Sequence, residues 1–147
     1  MDQNEQETKR VMKELASELQ EEVIRLGARI HEEVVESTPV DTGFARSNWI
    51  PSIGVPFEQI VGRKWKIGKK FFAQLNEAAQ RSGKASLLTW KIGQGDIFIA
   101  NNVPYINRLN EGWHERMDRF HFVEMAIQRS VEEIGSKVPV EVVKTQT

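Results

Sequence analysis

Leu19-Gln20-Glu21-Glu22-Val23-Ile24-Arg25-Leu26-Gly27-Ala28-Arg29-Ile30-His31-Glu32-Glu33-Val34 decides how this chain folds. Met12 and Ala16 upstream, followed by Leu19, Val23, Leu26, Ile30 and Val34, fall at steps of four, three, four, three, four and four. That period draws one apolar stripe along an α-helix, with Glu, Lys and Arg at most other positions. Toward the C-terminus, Thr38-Pro39 stops the helix, because proline disfavours helical geometry at the residue before it. Toward the N-terminus the pattern reaches about Glu5. A helix over residues 5–37 is roughly 50 Å long at 1.5 Å per residue, whereas a small domain is only about 30 Å across. One end must therefore project from the body or be covered by another chain.

The chain has 147 residues, the size of one compact domain. Apolar residues are 39% and charged residues 28%, which excludes both a wholly disordered chain and a membrane-embedded one. The longest apolar run, Ile97-Phe98-Ile99-Ala100, is far short of the about 20 residues that a membrane span needs. The polar start, Met1-Asp2-Gln3-Asn4-Glu5, lacks the basic and apolar regions of a signal peptide, so action in the cytoplasm is expected. Without cysteine there is no disulfide framework, thiol nucleophile or cysteine-based metal site. Net charge is −1 but unevenly spread. Residues 2–22 carry seven acids against three bases, and residues 63–91 carry eight bases against Glu77 alone, a local net charge of +7.

Pro39 to Gly43 reads as a turn, and Phe44 to Ile50 as a strand closed by Pro51. The basic run through Lys70 reads as exposed loop or ribbon. Phe71, Phe72, Leu75, Ala78 and Ala79 predict a middle helix that Gly83 ends or bends. Gly93-Gln94-Gly95 is a turn and Ile97 to Ala100 a short strand. Phe120, Val123, Ile127, Val131 and Ile134 predict a C-terminal helix over residues 118–136, with Asp118 as N-cap and Gly135 as C-cap. Val138, Val140, Val142 and Val143 give residues 137–147 an extended character. The expected architecture is a single α+β domain over residues 1–147. A small antiparallel sheet, with its loops spanning residues 38–117, packs with the long N-terminal helix, the middle helix and the C-terminal helix.

Catalytic chemistry finds little footing. Gly62 and Gly68 are one residue too far apart for a phosphate loop, and Lys70 stands where a hydroxyl should bind magnesium. His31-Glu32 starts like a zinc-protease helix, but Val35 occupies the second ligand position. His114, Asp118 and His121 could share one side of a helix and hold a metal, although solvated histidines near a helix start are the simpler reading. There is no Gly-x-Ser-x-Gly elbow. No enzyme activity, cofactor or metal is expected. Residues 63–91, with Trp65, Phe71 and Phe72, suggest the alternative of a DNA-binding accessory protein, using phosphate pairing and stacking.

Two stretches say more than their periodicity. One is Glu36-Ser37-Thr38-Pro39-Val40-Asp41-Thr42-Gly43, followed by Arg46, Ser47, Asn48 and Trp49. The other is Ile99-Ala100-Asn101-Asn102-Val103-Pro104-Tyr105-Ile106-Asn107-Arg108-Leu109-Asn110-Glu111-Gly112-Trp113, then Phe122-Val123-Glu124. In this order they resemble the neck or tail-completion proteins of tailed bacteriophages, a group of head-proximal minor tail proteins that includes minor tail protein Z of phage lambda. The resemblance covers most of residues 20–135. His114-Glu115-Arg116-Met117 departs from it, since the family often has a small polar residue and a Gln-Ala-Pro turn there.

The resemblance implies a non-enzymatic virion protein at the head–tail junction, assembled in the host cytoplasm. It would form a ring, sixfold, between connector and tail-tube proteins, around a lumen for DNA. Asp41 and Thr42 would cap the amides freed where the long helix ends, and Gly43 would let the chain reverse. Asn101 and Asn102 would satisfy backbone groups after the second strand, and Tyr105 offers a large apolar face. Arg46, Arg108, Glu111 and Trp113 are the expected subunit or ring contacts. Arg63, Lys64, Lys66, Lys69 and Lys70 would face DNA in the lumen or an acidic ring.

Overall fold

The computed structural model describes residues 2–39, 44–61, 69–112 and 121–144, with the backbone alone for residues 69–76. α1 (Gln3–Ser37) is a single helix of 35 residues. Asp2 caps its start, accepting the Asn4 N–H at 3.3 Å. At its other end the Thr38 N–H closes on the Val34 carbonyl before Pro39 diverts the chain. Only the C-terminal half is held by the body. Its buried residues are Leu26, Gly27, Ile30, His31 and Val34.

β1 (Ile50–Ile53) pairs antiparallel with β2 (Ile97–Ala100), Ile50 opposite Ala100 and Ile53 opposite Ile97. α2 (Lys69–Leu88) lies between them in sequence and packs on β1. The short α3 (Ile106–Asn110) follows β2, and α4 (Phe122–Ile134) lies along α1. Leu26, Ile30 and Val34 of α1 form one core with Phe44, Trp49, Val103, Leu109, Phe122, Val123 and Ala126. This is the expected α+β arrangement of a small antiparallel sheet with a long N-terminal helix. Among the described residues, no helix is long and apolar enough to cross a membrane.

Several element bounds differ from the sequence expectation, each for a local reason. Residues 44–49 are no strand: Phe44 and Ala45 turn into a 3-10 turn at Arg46–Asn48, and β1 starts only at Ile50. The Ser47 hydroxyl and the Asn48 amide both donate back to the Phe44 carbonyl, a local bonding that competes with a strand ladder. Pro51 lies inside β1 rather than closing it, because a two-stranded sheet leaves an edge where no N–H is needed.

Lys69 and Lys70 are not loop but the first residues of α2, consistent with the good helix propensity of lysine. Gly83 does not end α2, which continues to Leu88. A Cβ at Gly83 would lie 2.6 Å from the Pro51 carbonyl oxygen, so the glycine is there for the close approach of helix and strand. α4 starts at Phe122 rather than 118, since His121 has φ 53° and is not helical. Gly135, at φ 69°, ends it as expected.

Candidate assembly site

The described residues of the first motif, 36–39 and 46–49, cluster at the foot of α1. Thr38 is fully buried; its hydroxyl donates to the Val34 carbonyl at 2.5 Å and accepts the Trp49 indole N–H at 2.8 Å. The His31 Nε2 lies 2.9 Å from the Trp49 carbonyl. A carbonyl only accepts, so Nε2 carries the proton. Burial, the largest influence, lowers the His31 pKa, and nearby Lys84 lowers it further. The bond to Trp49 and the charge of Glu32 oppose this without reversing it, which leaves a neutral imidazole. Asn48 is buried with its amide satisfied on both sides. It donates to the Phe44 and Val61 carbonyls and accepts the Val61 N–H at 2.8 Å. Arg46 turns toward α1 and donates from Nη2 to the Glu36 carbonyl at 2.7 Å, a cation at the negative end of a helix.

The second motif bonds to the first. The Asn101 amide donates to the Ala45 carbonyl at 2.8 Å, and its oxygen accepts the Val103 N–H. Asn102 donates to the Phe57 carbonyl at 2.7 Å. Pro104 is exposed, and half-buried Tyr105 packs on the core ahead of α3. Arg108 and Glu111 are exposed on and just beyond α3, while Gly112 turns the chain at φ 84°.

Asn110, which the sequence did not single out, joins α3 to α4. Its amide donates to both Glu124 carboxylate oxygens, at 3.1 and 2.8 Å, and its oxygen accepts the Val123 N–H at 2.9 Å. It therefore supplies the N-terminal cap that His121 does not give α4. The only signal for it was its place inside the second quoted motif.

The structure places Arg108 and Glu111 on the surface and turns Arg46 against α1. Pro39 is half-buried at the foot of the helix. Asp41, Thr42, Gly43, Arg63, Lys64, Lys66, Trp113, His114 and Asp118 lie outside the described residues, as do the side chains of Lys69 and Lys70.

Between α1 and α2 runs an open groove of about 380 Å³, lined by His31, Glu32, Val35, Glu36, Glu77, Gln80, Arg81 and Lys84. Its three acids face two bases, with Lys84 3.2 Å from Glu32. Lys84, followed by Arg29, holds the Glu32 pKa below the usual range against a smaller opposing effect of burial. On the other side of α1, Arg29 and Arg129 both grip Glu33, and Arg29 also reaches Glu133, locking α4 to α1. Among the described residues, no three His, Asp or Glu side chains are placed to hold a metal.

The arrangement is a hydrogen-bonded polar framework with charged side chains presented around it. Set against protein-family models, curated proteins and solved structures, the chain matches none.

Proposed function

We propose that this chain is a structural protein of a tailed-bacteriophage virion, forming a ring at the head–tail junction that completes or terminates the tail and joins it to the head. The observation that carries the reading is the bond between the two motifs. Asn101 of the second holds the Ala45 carbonyl beside the first, at 2.8 Å. Two stretches distant in sequence thus form one framework, as the parts of a single family signature should. Their residues tie main chain to main chain, which is the work of a scaffold. Joining would then rest on shape and charge complementarity between stacked rings, with Arg108 and Glu111 among the surface contacts.

A cryo-EM map of the particle that encodes the chain tests this. Density for its long helix is expected in a ring at the head–tail junction, and its absence there overturns the proposal. The second reading, a DNA-binding accessory protein using residues 63–91, draws on the local charge of +7. It has less support, because Lys84 in that stretch is engaged by Glu32. A monomer that binds duplex DNA with steep salt dependence would favour it instead.

A further inference from the structure

α1 is longer than the body that holds it. Every residue from Asp2 to Leu19 is exposed, and the first anchor to the body is Gln20, whose side chain accepts the Ile92 N–H at 3.2 Å. Residues 3–19 thus extend about 26 Å into solvent. Even so, this extension carries Val11, Met12, Leu15 and Leu19, which are 41, 64, 59 and 49% exposed. They continue the stripe that becomes core at Leu26, Ile30 and Val34. A free helix of this length is marginal in water, and an apolar stripe stabilises it only when something covers the stripe.

The charges beside the stripe name the cover. At about 100° per residue, Lys9 and Lys13 fall on one flank, and Glu7, Glu14, Glu18 and Glu22 on the other. Arg10, on the back of the helix, pairs with Glu7 and Glu14. Lys9, Lys13, Glu18 and Glu22 have no ion-pair partner among the described residues. When two such helices pack antiparallel, like flanks meet, and Glu14 and Glu18 of one face the same acids of the other. When they pack parallel, the basic flank of one meets the acidic flank of the next.

We propose that the N-terminal segments of α1 from neighbouring copies of this chain pack side by side in parallel, burying the Met12–Leu15–Leu19 stripe between them. The stripe and its flanks stand on the structure alone. The number of copies rests on the proposed ring, where rotation about one axis points every helix the same way along it.

Because the chain has no cysteine, single-cysteine variants of the full protein test this directly. Met12→Cys and Leu19→Cys should each link to their own kind with a short bis-maleimide, whereas Ser17→Cys, on the opposite face, should not. One antiparallel register can bring at most one of the two like positions together, so linking at both requires parallel packing. The double variant Lys9→Glu/Lys13→Glu should lose the links and sediment as a monomer. Adding Glu18→Lys/Glu22→Lys to it should restore assembly.

Links found only in a mixture of Met12→Cys and Leu19→Cys chains overturn the parallel arrangement. A discrete oligomer without links at either position overturns this interface while leaving the ring intact. A monomer at every concentration also overturns the interface and leaves the ring to be judged on the particle.

Discussion

At the scale of single residues, most of the polar side chains singled out in the motifs serve the backbone. Asn110 shows what such a residue contributes. Asn110→Ala would strip the Val123 N–H of its acceptor and Glu124 of two donated bonds, in a site only 3% exposed. A buried group left unpaired costs about 1–3 kcal/mol, so the urea midpoint should fall by that equivalent. Glu111→Ala next door, on an exposed side chain, should stay within about 0.5 kcal/mol. The same variant reports on the carboxylate. Burial alone would raise the Glu124 pKa, but the Asn110 bonds, its own N–H and Lys144 together hold it low. In Asn110→Ala, carbon-detected NMR titration should find that pKa shifted upward.

His31 makes a prediction about pH. Its folded pKa lies below the ordinary 6.5, so the unfolded chain takes up a proton that the folded one refuses. Stability is then full above about pH 6.5 and declines as acid is added toward the folded value. Melting temperature measured from pH 8 down to 5 should fall on that limb, and His31→Gln should flatten it. An unchanged slope in the variant would mean that other groups titrate there.

At the scale of elements, the close packing of α2 on β1 carries a signed prediction. An alanine for glycine inside a helix ordinarily stabilises by about 1 kcal/mol. At Gly83 the added methyl would sit 2.6 Å from the Pro51 carbonyl oxygen and 2.8 Å from its ring. Helix and strand would have to separate, so Gly83→Ala should instead destabilise by about 1–3 kcal/mol in thermal unfolding. The contact explains why the sequence misled at this point. Apolar period made α1 and α4 legible, because each buries one regular face, and β2 was legible as a short apolar run. Gly83 reads locally as a breaker, and its reason lies in Pro51, thirty-two residues away in sequence. Likewise Phe44 to Ile50 reads as a strand, yet the returns of Ser47 and Asn48 to one carbonyl bend its first part into a 3-10 turn. The turn of the second motif, at Pro104 and Tyr105, was legible as a turn. The joining of the two motifs through Asn101, and the cap that Asn110 gives α4, depend on distant partners that no local pattern displays.

At the scale of the whole molecule, the body is held together around the lower half of α1, while two segments leave apolar side chains exposed: the top of α1 and the stretch after α4. The latter retraces α4. Val138 still packs on the core, and Lys144 lies 3.1 Å from Glu124 at the opposite end of the helix. Between them Val140, Val142 and Val143 stay exposed, Val143 at 73%. Such β-branched residues favour an extended backbone, and exposed apolar backbone of that kind recruits a partner strand. A neighbouring subunit that receives this segment at a sheet edge would cover it, although Pro139 withholds one donor from the pairing. Truncation before Pro139 keeps Ser136 and Val138, which touch the core, and removes only the exposed stretch and the surface pair with Glu124. An exposed pair contributes at most about 1 kcal/mol, so the truncated chain should fold with nearly unchanged stability. Sedimentation velocity should nevertheless find it less assembled than the full chain at equal concentration. If the two chains assemble alike, the end of the chain is only a frayed segment and takes no part in the proposed ring.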